Sequence, residues 1–155
     1  MTTDARNQIP EPHYTLIETS RGRDPAIVVV NSALRSFQHH DRFPWHLNIR
    51  ISCQLLGDNG MPTSEDNQVL YKLEDEISKQ LSTNGNAVFL SRVTCRGARE
   101  LAYRVHDPEA ADDFLSQLVS NADQARQWEY RMEPDQDWIL AKPELSLLER
   151  DPRFN

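Results

Sequence analysis

The sequence predicts an α+β protein: an antiparallel sheet in the order β-α-β-β-α-β, with two amphipathic helices on one face. A β-hairpin precedes this unit and a short helix follows it. Three observations predict the arrangement. Residues 45–55 alternate strictly between apolar and polar side chains. Residues 64–81 and 108–118 repeat their apolar side chains at helical spacing. The segments 87–95, 99–106 and 127–133 each carry one apolar row that those helices can cover.

The elements follow in order. Residues 1–12 contain Pro10 and Pro12 without periodicity and read as a loose arm. His13–Ser20 and Ala26–Asn31 read as strands around the turn Arg21-Gly22-Arg23-Asp24-Pro25. The second is a β-branched run expected to be covered on both faces. In 45–55, Trp45, Leu47, Ile49, Ile51, Cys53 and Leu55 form one row. His46, Asn48, Arg50, Ser52 and Gln54 form the other. Gly57-Asp58-Asn59-Gly60 breaks the chain, and Thr63 or Ser64 caps a helix with Glu65 and Asp66 in its first turn. Arg96-Gly97-Ala98 turns the next two strands. Asp107-Pro108 starts the second long helix, and a short one begins near Pro143. Right-handed crossovers then give a ferredoxin-like, split βαβ sheet. The chain divides into the arm, one α+β domain over 13–150, and a tail over 151–155.

Length and charge bound the function. One core fits in 155 residues. A net charge of −7 disfavours nucleic acid and anionic membrane as partners. No apolar run approaches the length of a membrane span, and the first eleven residues lack an apolar leader core. Cytoplasm is the expected compartment. Cys53 and Cys95 make neither a disulfide framework nor a zinc site.

The residues Asn59-Gly60-Met61-Pro62, the helix ending in Leu73-Glu74-Asp75, and Val93-Thr94 with Gly97 and Arg99 share an order and spacing with a known family. So does the pair Asp137-Trp138. Over roughly residues 13–145 the chain resembles the bacterial domain-of-unknown-function family numbered 695. It departs from that pattern at Tyr103-Arg104-Val105-His106, where the family is usually more aromatic. The resemblance implies no catalytic residues. It also implies association, in some members, with a domain resembling the regulator of ribonuclease E activity B, a ferredoxin-like inhibitor.

Constellations that carry chemistry are sparse. There is no phosphate-binding Gly-x-x-x-x-Gly-Lys loop, nucleophile elbow, His-Glu-x-x-His helix or Cys-x-x-Cys pair. His39, His40, Asp41 and His46 are metal-ligand types, but adjacent loop histidines diverge, so a solvated loop is expected and no metal or other cofactor. Cys53 and Cys95 fall on apolar rows, where a thiol is inert. Glu74, Asp75 and Glu76 diverge by about 100° each along a helix and read as a solvated run.

The candidate ligand-binding residues are Arg50, Arg92, Arg104 and Arg131, expected on the sheet face opposite the helices, with Glu100 and Glu129 among them. Guanidinium forks suit a carboxylate or a phosphate. Cross-strand ion pairing with those glutamates is the plainer alternative. The expected function is a non-catalytic protein-binding or regulatory module whose partner carries an acidic segment. The alternatives are a single-stranded RNA-binding module or an enzyme acting on a phosphorylated small molecule. The RNA reading wants stacking aromatics on the open sheet, whereas Tyr103, Trp128 and Tyr130 are expected to face the helices.

Overall fold

The computed structural model describes residues 9–120 and 126–151. Most of the expected arm at 1–12 and of the tail at 151–155 lies outside the described residues. Tyr14–Arg21 (β1), Asp24–Asn31 (β2), Trp45–Ser52 (β3), Ala87–Cys95 (β4), Ala98–Val105 (β5) and Trp128–Pro134 (β6) form one open sheet. Its order is β1-β2-β4-β5-β3-β6, with every neighbouring pair antiparallel. The helices are Ser64–Leu81 (α1), Pro108–Val119 (α2) and the short Lys142–Leu147 (α3). The protein is therefore α+β, with six strands in one sheet where four plus a separate hairpin were expected. The hairpin joins the sheet because β2 pairs with β4 from Ala26↔Cys95 to Val30↔Ser91.

The helix ends follow their sequence signals. The Thr63 hydroxyl accepts from the Asp66 amide at 3.3 Å, and the Asp107 carboxylate accepts from the amides of Glu109 and Ala110. Leu47, Ile49 and Ile51 of β3 pack in one cluster with Leu70 and Ile77 of α1 and Leu115 of α2. Both long helices thus cover the same sheet face. Each such aliphatic side chain contributes about 1.5–3 kcal/mol by leaving water.

The opposite face is also covered, but not by the hairpin. Leu34, Phe37 and Phe43, from the segment between β2 and β3, pack there with Leu90 and Trp138. Beyond them Val28, Val30 and Val93 pack with Leu148. Ile27 and Val29 on the helix side of β2 are only half-buried, so β2 is fully covered on one face rather than both.

Two further expectations are corrected. The strand from Trp45 ends at Ser52, not Leu55, because the Asp66 carboxylate takes the Gln54 amide at 3.0 Å and draws the chain off the ladder. Cys53 is half-buried and Leu55 is 43% exposed. In β4 the register moves from Phe89↔Tyr103 to Ser91↔Ala102, leaving Leu90 as a bulge. A bulge reverses side-chain parity downstream. Arg92 and Thr94 therefore face the helices, on the side opposite to that expected.

Candidate functional site

Each arginine singled out in the sequence has a definite place, and the structure does not bring the four together. Arg92 reaches α1, where its Nε and Nη2 donate to the two Glu74 oxygens at 2.6 and 2.5 Å. Glu74 is 5% exposed, so it is a buried partner and not part of a solvated run. Burial opposes the Arg92 charge, but the Glu74 carboxylate holds its pKa above the ordinary value. Arg104 lies on the expected face but is fully buried. Its Nη1 donates to Asp135 at 2.9 Å and to His46 Nδ1 at 3.1 Å, and its Nη2 donates to the Asp135 carbonyl at 2.6 Å. Arg131 is exposed on β6 and pairs with Glu133 at 3.1 Å. Arg50 and Arg131 are both on the expected face and open to solvent, two rungs apart across the β3–β6 pair, and of the two Arg50 borders a recess.

Arg50 borders a recess of about 140 Å³ at the end of the sheet. Arg21 and Arg96 enter the same recess, with Cys95 and Glu100 between them. The reason lies in two hairpin turns. Gly22, at φ 64°, turns β1 into β2 and leaves Arg21 at the strand end. Arg96 and Gly97 have φ of 53° and 73°, the paired positive values of a two-residue type I′ hairpin. Pairing of β2 with β4 sets the two turns side by side. Arg96 Nε then donates to Asp24 at 2.6 Å, and its Nη2 donates to the Arg21 carbonyl at 2.9 Å.

Glu100 divides its two oxygens between Arg50 at 3.3 Å and Arg21 at 3.6 Å. From α3, Glu144 stands 3.9 Å from Arg21. Burial pushes the Glu144 carboxyl pKa up from its ordinary value, against the pull of Arg21. All three guanidiniums are about half-exposed. Their ion pairs are therefore weak and exchangeable for an incoming anion.

The remaining candidates are structural. His40 stacks on Trp138 with ring centres 4.0 Å apart. The Nδ1 of His46 accepts from Arg104, a group with no acceptor, so the imidazole is the neutral Nε2–H form. Burial pushes its pKa down to about 4, and the Arg104 charge adds to this. Among the described residues, no three His, Cys, Asp or Glu side chains converge as a metal-ligand set. Burial, with Asp66 adding to it, raises the Cys53 thiol pKa against Arg99 and Arg126.

Sequence reasoning missed Arg21 and Arg96 as site residues. Both stood in segments correctly read as turns, and the signal was an arginine in each of two hairpin turns. Only the β2–β4 pairing makes them neighbours. It also missed Arg99, which is 3% exposed, donates to Thr94 at 3.1 Å and Asn67 at 2.8 Å, and leaves Nη1 without a partner.

The fold and site define an α+β protein with an open antiparallel sheet and an arginine-lined recess at one end of it. A family model matches residues 16–140, most of the chain, and the protein belongs to that family of unknown function, DUF695. No curated protein and no solved structure matches the chain. Among the described residues, no helix is long and apolar enough to cross a membrane.

Proposed function

We propose that the chain is a non-catalytic binding module that captures an acidic segment of a partner protein in the recess of Arg21, Arg50 and Arg96. The observation that carries this reading is the sharing of one carboxylate, Glu100, by two half-exposed guanidiniums, with a third beside them. A carboxylate entering the recess replaces weak, solvated pairing with charge-assisted forks. Arg92 and Arg104, each held by a buried partner, serve the fold in this reading rather than the ligand. The RNA reading has less support: Tyr103 and Trp128 are buried on the helix side, and Phe37, Phe43 and Trp138 of the recess's own face are buried beneath the connecting segments.

A ferredoxin-like origin is part of the proposal. The adjacency of β6, β3, β5 and β4 supports it, as does the packing of α1 and α2 into one cluster. The β1–β2 hairpin is then an extension that brings Arg21 to the recess.

Fluorescence anisotropy with a labelled Gly/Ser peptide bearing an Asp-Glu pair tests the binding reading. Binding that weakens with salt, and that Arg50→Ala and Arg21→Ala both abolish without lowering the melting temperature, is expected. Equal binding by wild type and both variants, or tighter binding of an oligouridine, overturns it. Competition by inorganic phosphate at equal concentration would instead favour a phosphorylated small molecule.

A further inference from the structure

We infer that the outer edge of β6 docks a second copy of this chain, the two β6 strands running antiparallel about a two-fold axis and joining both sheets into one. This does not rest on the binding reading above. Among the described residues β6 ends the sheet, with β3 as its neighbour. The Ser52 amide donates to the Gln127 carbonyl at 2.9 Å, and the Asp135 amide donates to the Pro44 carbonyl at 2.7 Å. In an antiparallel pair, residues that bond across the ladder alternate with residues that do not. Glu129, Arg131 and Glu133 therefore turn their backbone groups toward β3. Trp128, Tyr130 and Met132 turn theirs outward. Proteins blunt such an edge with lysine, proline or a bulge. β6 has no lysine, no proline before Pro134, and an unbroken register with β3.

Charge selects both the occupant and the register. Trp128, Tyr130 and Met132 pack on the helix side, so Glu129, Arg131 and Glu133 face the other way. Two strands of one sheet oppose residues that share a face, so the two-fold axis passes through a residue and its own counterpart. An axis at Arg131 opposes Arg131 to itself and Glu129 to Glu133. An axis at Glu129 opposes that carboxylate to itself, and one at Met132 opposes Glu129 to Asp135. An axis at Tyr130 opposes Glu129 to the partner's Arg131 and Arg131 to the partner's Glu129, with no like charges facing. In that register Trp128 meets the partner's Met132, so the outward backbone groups find one another as well.

The pairing also continues a pattern already in the sheet. Glu100, Arg50 and Glu129 stand on one rung across β5, β3 and β6. The partner's Arg131 extends that rung with the next charge in alternation. Tyr130 and Met132, half-buried in the single chain, gain further cover. The opposite edge has no such match: Glu18 and Arg21 of β1 face opposite sides of the sheet, and no in-sheet register opposes them.

Sedimentation equilibrium of the full chain tests the inference, and a concentration-dependent dimer is expected. Arg131→Glu and Glu129→Arg each set like charges opposite one another at both symmetry-related positions, and each should weaken the dimer about tenfold. An equimolar mixture of the two variants should restore it, because a mixed pair opposes unlike charges at both positions. A chain carrying both changes should also recover. Arg131→Glu alters an exposed side chain, and carries the test if Glu129→Arg folds poorly beside Arg50. A monomer at every concentration overturns the inference, as does a dimer that neither reversal weakens. A mixture no more associated than its two components overturns it too.

Discussion

Arg104 lies against the face of Trp138, its guanidinium carbon 4.6 Å from the ring centre. Trp138 adopts a left-handed backbone, φ 58°, rare for a bulky residue. The conformation persists because its surroundings over-determine it. The indole N–H is shared by the carbonyls of His40 at 3.1 Å and Phe43 at 3.0 Å. His40 stacks on one side of the ring system. Asp135 accepts from Arg104 and from the amides of Ile139 and Leu140, which fixes the chain leaving β6.

Removing the centre of this network should be severe. Arg104→Ala leaves Asp135 without its cation and two carbonyls of the cluster short of donors. Urea unfolding should show a loss of about 3–5 kcal/mol. A loss no larger than that of an exposed Arg131→Ala would show that the network is dispensable.

Stability should fall in mild acid because of His46. Its folded pKa of about 4 lies below the 6.5 of the free side chain. The unfolded chain therefore takes up the proton first, and stability declines as pH drops from about 6.5 to about 4, by on the order of 3 kcal/mol. Asp66 and Asp135 act lower. Burial alone would raise their pKa values, but for Asp66 the Arg126 guanidinium and the Gln54 amide outweigh it. For Asp135 the Leu140 amide and Arg104 do the same. Their contributions are complete above the unfolded carboxylate range and are lost as pH falls through the lowered folded values. His46→Asn should flatten the upper part of the curve in urea melts across this range; an unchanged slope there would exclude His46 as its source.

Arg92 and Arg99 share Tyr71, their guanidinium carbons 5.0 and 4.9 Å from its ring centre, yet should respond differently to replacement. Arg92→Met strands the buried Glu74 carboxylate and should cost about 3 kcal/mol. Arg99→Met removes a buried cation that has no carboxylate bonded to it and should be neutral or stabilising, within about 1 kcal/mol. Equal losses in the two variants would contradict this.

Arg96 occupies a left-handed position that Asn or Gly adopts more cheaply. Arg96→Asn should raise stability, since the bonds to Asp24 and to the Arg21 carbonyl that it forfeits are exposed. The same change should weaken capture of the acidic peptide. A variant that is both less stable and unimpaired in binding would remove Arg96 from the site.

Legibility followed the range of the interactions. Helix starts at Thr63 and Asp107, the turn at Arg96-Gly97 and the row Leu47–Ile49–Ile51 depend on local sequence, and each stands where its residues indicated. The end of β3 was set by Asp66, fourteen residues beyond Ser52, and no local signal marked it. Arg104 could be given a face but not a cover, because Trp138 and Phe43 reach it from distant segments. The recess required the pairing of a β-branched strand with β4, and nothing in 26–31 specifies that neighbour. Arg92 was lost to one residue, Leu90, whose apolar side chain continued a plausible alternation.

That one residue constrains how the gene can vary. Upstream of Leu90, Ala87 and Phe89 face the helices; downstream, Val93 and Cys95 pack on the other side. Deleting Leu90 would remove the bulge: Phe89 and Ser91 would meet Tyr103 and Ala102 on consecutive rungs. Arg92 would still face Glu74, and Ser91 would stand where Leu90 packs with Phe43 and Trp138. A three-nucleotide loss at this codon would act as a single core substitution, whereas the same loss elsewhere in β4, with the bulge kept, would turn the residues beyond it to the wrong face. The bulge is thus where β4 can lose a residue without changing which side chains meet the helices.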